Sequence, residues 1–236
     1  MAMSARPNLL VTGIAEGLGA EIAGAFAKAG YDVLGVSRTV RASETINARV
    51  TQGGGRYTHL ACDITHPADV ARALQPIAEH IDVLIHNAQH LLIKPFAEIS
   101  ADAFEQVWRV ACLGAMASAQ AVLPHMAARK HGTVIFSGAT AGLRGGAKFA
   151  AFASAKFALR GLAQALAREY GPKGVHVAHV VIDGLIEAPQ TDRRFGPALA
   201  GRMEAQAVAQ AYLDLAAQHP SAWTQEMDLR PFAETF

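Results

Sequence analysis

Cysteine is almost absent. The 236 residues hold two, Cys62 and Cys112, far apart and with no metal-ligand spacing. That excludes a disulfide framework and predicts two buried thiols in a reduced, cytoplasmic protein. Charge is scarce as well: 17% of residues are charged and the formal net charge is +1. No global field favours nucleic acid or an acidic membrane, and no basic run is interleaved with aromatics. No stretch of about 18 apolar residues runs without polar interruption, so no membrane span is expected. The alanine-rich run from Ala111 to Ala128 is broken by Ser118, Gln120, Pro124 and His125 and reads as a buried helix. Met1 to Pro7 contains no apolar signal core. The ten histidines offer no His-x-x-x-His spacing beside a carboxylate, so no metal is expected. There is no internal repeat and no low-complexity linker. What is present is apolar residue, 51% of the chain, ample for the core of one large α/β domain or two small ones.

Short β-rich runs alternate with helical stretches. Strands are predicted at 8–12, 32–36, 58–62, 82–86, 132–137 and 175–182, with a seventh in the tail at 222–229. Helices are predicted at about 17–29, 101–129, 149–170 and 203–218, with Gly30, Gly171 and Gly174 where C-terminal caps belong. Apolar strands alternating with helices argue for a parallel sheet covered on both faces, closed as a right-handed, doubly wound, Rossmann-like α/β fold. The expected organisation is one domain over residues 1–236 with a substrate loop at about 184–203. Its polar stretch from Glu187 to Phe195 falls past the sixth strand's C-terminal end, where such sheets bind ligands. It reads either as a flexible flap or as an inert surface loop.

The first strand runs into Thr12-Gly13-Ile14-Ala15-Glu16-Gly17-Leu18-Gly19. Glycines at these positions allow a tight turn and a close approach of backbone amides to a pyrophosphate, and the following helix offers its positive end. Following a strand and opening a helix within a βαβ unit, the triplet points to a dinucleotide. The second strand ends at Ser37-Arg38. An acidic residue there would accept from the adenosine ribose; Ser37 cannot, whereas Arg38, with Arg41 nearby, suits a 2′-phosphate. That favours NADP(H) over NAD(H), unless Arg38 is only a solvated loop residue.

These segments, with Cys62-Asp63-Ile64, Asn87-Ala88-Gln89 and Lys156 in a long helix, resemble the short-chain dehydrogenase/reductases over nearly the whole length. The resemblance implies that Asp63 and Ile64 lie near the adenine and that Asn87 and Ala88 run beside the cofactor. It implies that Lys156 holds the nicotinamide ribose and lowers the pKa of a tyrosine. Asp183, Gly184 and Ile186 are the residues expected beside the nicotinamide. It also implies a homodimer or homotetramer built on the long central helices.

The family's working set of Asn, Ser, Tyr and Lys is not reproduced. Phe152 stands four residues before Lys156, where the tyrosine is expected; Ala111 takes the asparagine position and Ala139, thirteen residues before Phe152, the serine position. The usual Pro-Gly after the sixth strand becomes Asp183-Gly184, and a threonine that would touch the carboxamide becomes Ala188. A positioned general acid contributes about 10²–10⁴-fold, or roughly 3–5.5 kcal/mol, and phenylalanine has no proton to give. Candidate substitutes are Thr140 and Ser137 as carbonyl-orienting hydroxyls. Asp183 is a buried acid or a turn cap, His90 a titrating group at the rim or a surface residue, and Lys156 a direct proton donor or a ribose ligand. His86, His176 and His179 fall within strands and read as structural. The expected function is an atypical NADP(H)-dependent oxidoreductase of a small carbonyl or alcohol. The competing readings are a cofactor-binding sensor or scaffold without turnover, and a lyase or isomerase using Asp183 or His90 as base.

Overall fold

The computed structural model describes residues 6–39, 43–197 and 201–233. Seven strands form one sheet: β1 (Asn8–Thr12), β2 (Asp32–Ser37), β3 (Tyr57–Ala61), β4 (Ile81–His86), β5 (Thr133–Ser137), β6 (His176–Ile182) and β7 (Glu226–Leu229). Their order is β3-β2-β1-β4-β5-β6-β7 and every pairing is parallel. Consecutive Leu9, Leu10 and Val11 are all fully buried, as a strand covered on both faces requires. One face carries α1 (Leu18–Lys28), α2 (Ser43–Gln52) and α8 (Ala205–Ala216); the other carries α3 (Pro67–Leu74), α4 (Ala101–Trp108), α5 (Gly114–Arg129) and α6 (Ala150–Tyr170). The expected doubly wound sheet is present. The chain reverses its winding between β1 and β4, so the crevice at the C-terminal ends of these strands is the natural ligand position.

Several expectations needed correction. The third strand begins one residue earlier and ends at Ala61, so Cys62 lies past it. The tail strand is limited to Glu226–Leu229, because Pro220–Ala222 forms a 3-10 turn instead. The helix over 101–129 is continuous but carries a π-turn at Arg109–Leu113, where the Gly114 amide donates to the Arg109 carbonyl. Length and apolarity would let Ala101–Arg129 cross a membrane, but 56% of its most apolar window is buried and α5 packs on α3 and β4 as a core helix. Gly171 is helical, with φ −53°, and a 3-10 turn follows it; the left-handed residue is Gly174. The polar stretch after β6 has regular structure of its own. It contains α7 (Pro189–Phe195), started by Pro189 in the first helical position, where a missing N–H costs nothing. Both cysteines are free and buried.

Candidate active site

The glycine turn closes β1 onto α1. Gly13 has φ +77° and donates its amide to the Val36 carbonyl at 2.8 Å. A Cβ there would stand 2.4 Å from the Ala88 backbone, so only glycine allows β1 and β4 to approach so closely at the switch point. Gly17, with φ +81°, is the N-cap of α1 and supplies no side chain to it, leaving the first helical amides available to an anion. Leu18 and Gly19 are buried in the first turn, Gly19 against Ile14. The Thr12 hydroxyl bonds His86 Nδ1 at 2.8 Å and is fully buried, so it braces the strand ends. This cradle is one that a dinucleotide pyrophosphate fits.

At the end of β2 the Ser37 hydroxyl donates to the Thr39 carbonyl and meets His59 Nε2, both at 2.9 Å. Arg38 is exposed, and its charge acts on Asp63. Burial pushes the Asp63 carboxyl up, but hydrogen bonds from Thr65 with the charges of Arg38 and His66 outweigh it and hold the pKa below the usual range. Ile64 is buried against Gly114. Arg41 lies outside the described residues.

Lys156 is fully buried at the heart of the site. Its Nζ donates to the Ser137 carbonyl at 2.7 Å and lies 5.6 Å from the centroid of the Phe152 ring. Complete burial pulls the amine down from 10.5 to about 7. Phe152 is 6% exposed and shares one apolar cluster with Ala111, Val107 and Ala155, against which Ala139 and Phe149 pack. The three positions where the resemblance expects tyrosine, asparagine and serine therefore meet as a single apolar wall beside the lysine. Ala111 lies within the π-turn, whose irregular backbone directs it there.

The polar groups form two separate sets. In one, the Ser137 hydroxyl donates to Asn87 Oδ1 at 3.0 Å and accepts from the Tyr212 hydroxyl at 2.8 Å. In the other, the Thr140 hydroxyl donates to Asp183 Oδ1, while Arg230 Nη1 lies 3.4 Å from Asp183 Oδ2. Ser137 and Thr140 thus both spend their protons on neighbours, and both Asp183 oxygens are engaged. Gly184 lies against Pro231 and Met203, and Ile186 pairs with Met203 in an isolated bridge that anchors the base of the α7 segment. That segment reaches back over the cradle: Gln190 Nε2 donates to the Glu16 carbonyl at 2.8 Å. His90 is exposed on the loop after β4, and among the described residues no hydrogen bond or ion pair joins it to Lys156 or Asp183. His86 is fully buried and its pKa falls to about 3, chiefly through burial and then through the Lys156 charge. His179 bonds Glu226 at 3.0 Å and His176 stacks on Trp223, as structural residues do. Among the described residues no cluster could hold a metal ion.

Sequence reasoning overlooked Tyr212, Arg230 and Gln190. Only Tyr212 left a signal: a tyrosine on the apolar stripe of a helix must find a partner for its hydroxyl, but nothing in the pattern names that partner.

Residues 7–195 match the family model for short chain dehydrogenase. A fatty acyl-CoA reductase from Acinetobacter baylyi is 32% identical over 166 residues, covering 68% of this chain and 56% of that protein. The chain thus spans little more than half the length of the first curated relatives it matches. A solved short-chain dehydrogenase from Rhodopseudomonas palustris is 36% identical with a TM-score of 0.85, covering 97% of this chain and 100% of that one. A metagenomic short-chain oxidoreductase solved in complex with NADP is 25% identical with a TM-score of 0.83, over 97% of this chain and 98% of the other.

Proposed function

This chain belongs to the short-chain dehydrogenase family, and we propose that it is an atypical oxidoreductase acting with NADP(H) on a small, fairly apolar carbonyl or alcohol. The observation that carries the reading is the apolar wall of Phe152, Ala111 and Ala139 beside a fully buried Lys156, whose amine that burial lowers to about 7. A bound nicotinamide supplies or accepts the hydride. The chain's own residues do the rest. Gly13 and Ile14 donate their amides to the Val36 carbonyl, so the amides nearer Gly17 and the open end of α1 would hold the pyrophosphate. Asp63 and Ile64 would border the adenine, Asn87 and Ala88 would run beside the cofactor, Lys156 would hold the nicotinamide ribose, and Asp183, Gly184 and Ile186 would lie on the nicotinamide side. Arg38 pairs with the 2′-phosphate, which supports NADP(H) over NAD(H) alongside the NADP held by the metagenomic relative.

With no hydroxyl at position 152, Lys156 Nζ is the group that holds the proton. An amine near pH 7 populates both protonation states at neutral pH, the condition under which an acid–base catalyst works best. The apolar wall excludes water and favours an apolar substrate body over a polar one. The protein is inferred to act in the cytoplasm, in keeping with its free buried thiols, as a single domain within a homodimer or homotetramer. Such an assembly would cover Trp108 and Phe157, exposed at 37% and 46% on α4 and α6.

One observation favours a second reading, a cofactor-binding sensor without turnover: Lys156 presents no accessible surface. The two part on one experiment. Purified protein is incubated with NADPH and a panel of aldehydes and ketones, with cofactor oxidation and product followed together. Turnover that collapses in Lys156→Ala supports the oxidoreductase; NADPH binding without oxidation across the panel supports the sensor. Product formed without cofactor oxidation would point instead to a lyase or isomerase using Asp183 or His90.

A further inference from the structure

Tyr212 is a fully buried residue of α8, on the opposite face of the sheet from Lys156 and α6. Its hydroxyl donates to Ser137 Oγ at 2.8 Å, and Ser137 Oγ donates to Asn87 Oδ1 at 3.0 Å. Ser137 is also the residue whose carbonyl holds Lys156 Nζ at 2.7 Å. One residue at the end of β5 therefore ties together two groups at the nicotinamide end of the site. The direction of this wire is fixed at its buried end. Burial pushes the Tyr212 phenol well above its usual range, so it stays protonated and must donate. Its acceptor is Ser137 Oγ, which commits the serine proton to Asn87. The Asn87 oxygen is then taken, which leaves its Nδ2, without a hydrogen bond among the described residues, as the end of the amide still to be partnered. Reversing the wire would leave the Tyr212 proton without an acceptor in the core, a penalty of about one to two orders of magnitude in population.

We propose that Tyr212 is a positioning residue: through Ser137 it sets the Asn87 amide with its N–H₂ group toward an acceptor oxygen of the bound cofactor. This rests on the reading of the protein as an NADP(H) binder. Tyr212→Phe keeps the packing and removes the wire's starting donor, freeing Ser137 and Asn87 to exchange roles. NADPH affinity is measured by calorimetry on Tyr212→Phe, Asn87→Ala and the double variant, with thermal unfolding recorded in parallel. The single Tyr212→Phe change should weaken NADPH about three- to tenfold. The double variant should bind no more weakly than Asn87→Ala alone, since the wire has then lost its end. Ser137→Ala, which keeps the carbonyl for Lys156, repeats the measurement should Tyr212→Phe not fold. A lowered melting temperature with unchanged affinity, or additive losses in the double variant, would overturn the assignment and leave the cofactor reading standing. A wild-type protein that binds no nicotinamide nucleotide overturns both.

Discussion

If burial holds the Lys156 amine near 7, the protein must carry a pH-dependent stability that a substitution at this one position abolishes. The unfolded chain protonates Lys156 with the ordinary value of 10.5, the folded one with a value of about 7. Between those values the unfolded state binds the extra proton, so stability rises as pH rises; at and below pH 7 the burial penalty weighs most. From pH 7 to pH 9 the rise integrates to about 2 kcal/mol at roughly 1.4 kcal/mol per pH unit, allowing for the half-protonated folded state at the start. The perturbation is Lys156→Met, similar in length and without charge. The assay is urea unfolding of both ligand-free proteins at pH 7, 8 and 9. Other titrations cancel in the difference between the two, which should shift by about 2 kcal/mol in favour of the wild type across that interval. A difference that stays flat would refute the reasoning. It would mean that Lys156 stays charged throughout and cannot share a proton at neutral pH.

Three further outcomes follow from the same geometry. Phe152→Tyr places a phenol beside Nζ and should raise NADPH-dependent carbonyl reduction by at least tenfold in steady-state assays, though short of a full general-acid contribution because Ala139 still offers no hydroxyl. Arg38→Ala should weaken NADPH roughly tenfold or more in calorimetry and leave NADH within about twofold, since a charge-assisted pair to the 2′-phosphate is worth about 1.5–3 kcal/mol. Gly13→Ala drives a Cβ to 2.4 Å from Ala88 at a left-handed residue and should cost about 2–4 kcal/mol in denaturant unfolding and abolish nucleotide binding; retained binding would mean that β1 and β4 do not have to approach so closely.

What could be read from the chain alone followed from local pattern. Leu9-Leu10-Val11, a short apolar run between helical stretches, read as a strand, and the glycine triplet announced its turn because φ > 0 and close approach are properties of single residues. Pro189 and the following Gly196 bounded a short helix that the polar composition of 187–195 concealed. The π-turn left no trace, since an extra residue in a helix shifts the apolar stripe by less than the alanine-rich sequence can register. Contacts between distant side chains left none either: Tyr212 and Ser137 lie 75 positions apart, and Gln190 and Glu16 lie 174 apart.

The three positions where the resemblance expects asparagine, serine and tyrosine illustrate the limit most sharply. Along the chain, Ala111, Ala139 and Phe152 read as separate losses. In space they are neighbours, and their common effect falls on Lys156. A tyrosine hydroxyl, a serine hydroxyl and an asparagine amide would each have brought a dipole toward the buried amine. In their place stand two methyl groups and a phenyl ring, leaving the Ser137 carbonyl as the hydrogen-bond acceptor of Nζ and the ring face at 5.6 Å as a weak cation–π partner. Desolvation then prevails, and the amine falls to about 7. Under the proposed function, burial among these apolar residues is what brings the lysine into the range where it could share a proton. Restoring the phenol by Phe152→Tyr should raise the Lys156 pKa as well as the rate, and the pH-dependent stability difference of the Lys156→Met pair, repeated in that background, should shrink. If the difference kept its full size, the apolar wall would not be what depresses the lysine.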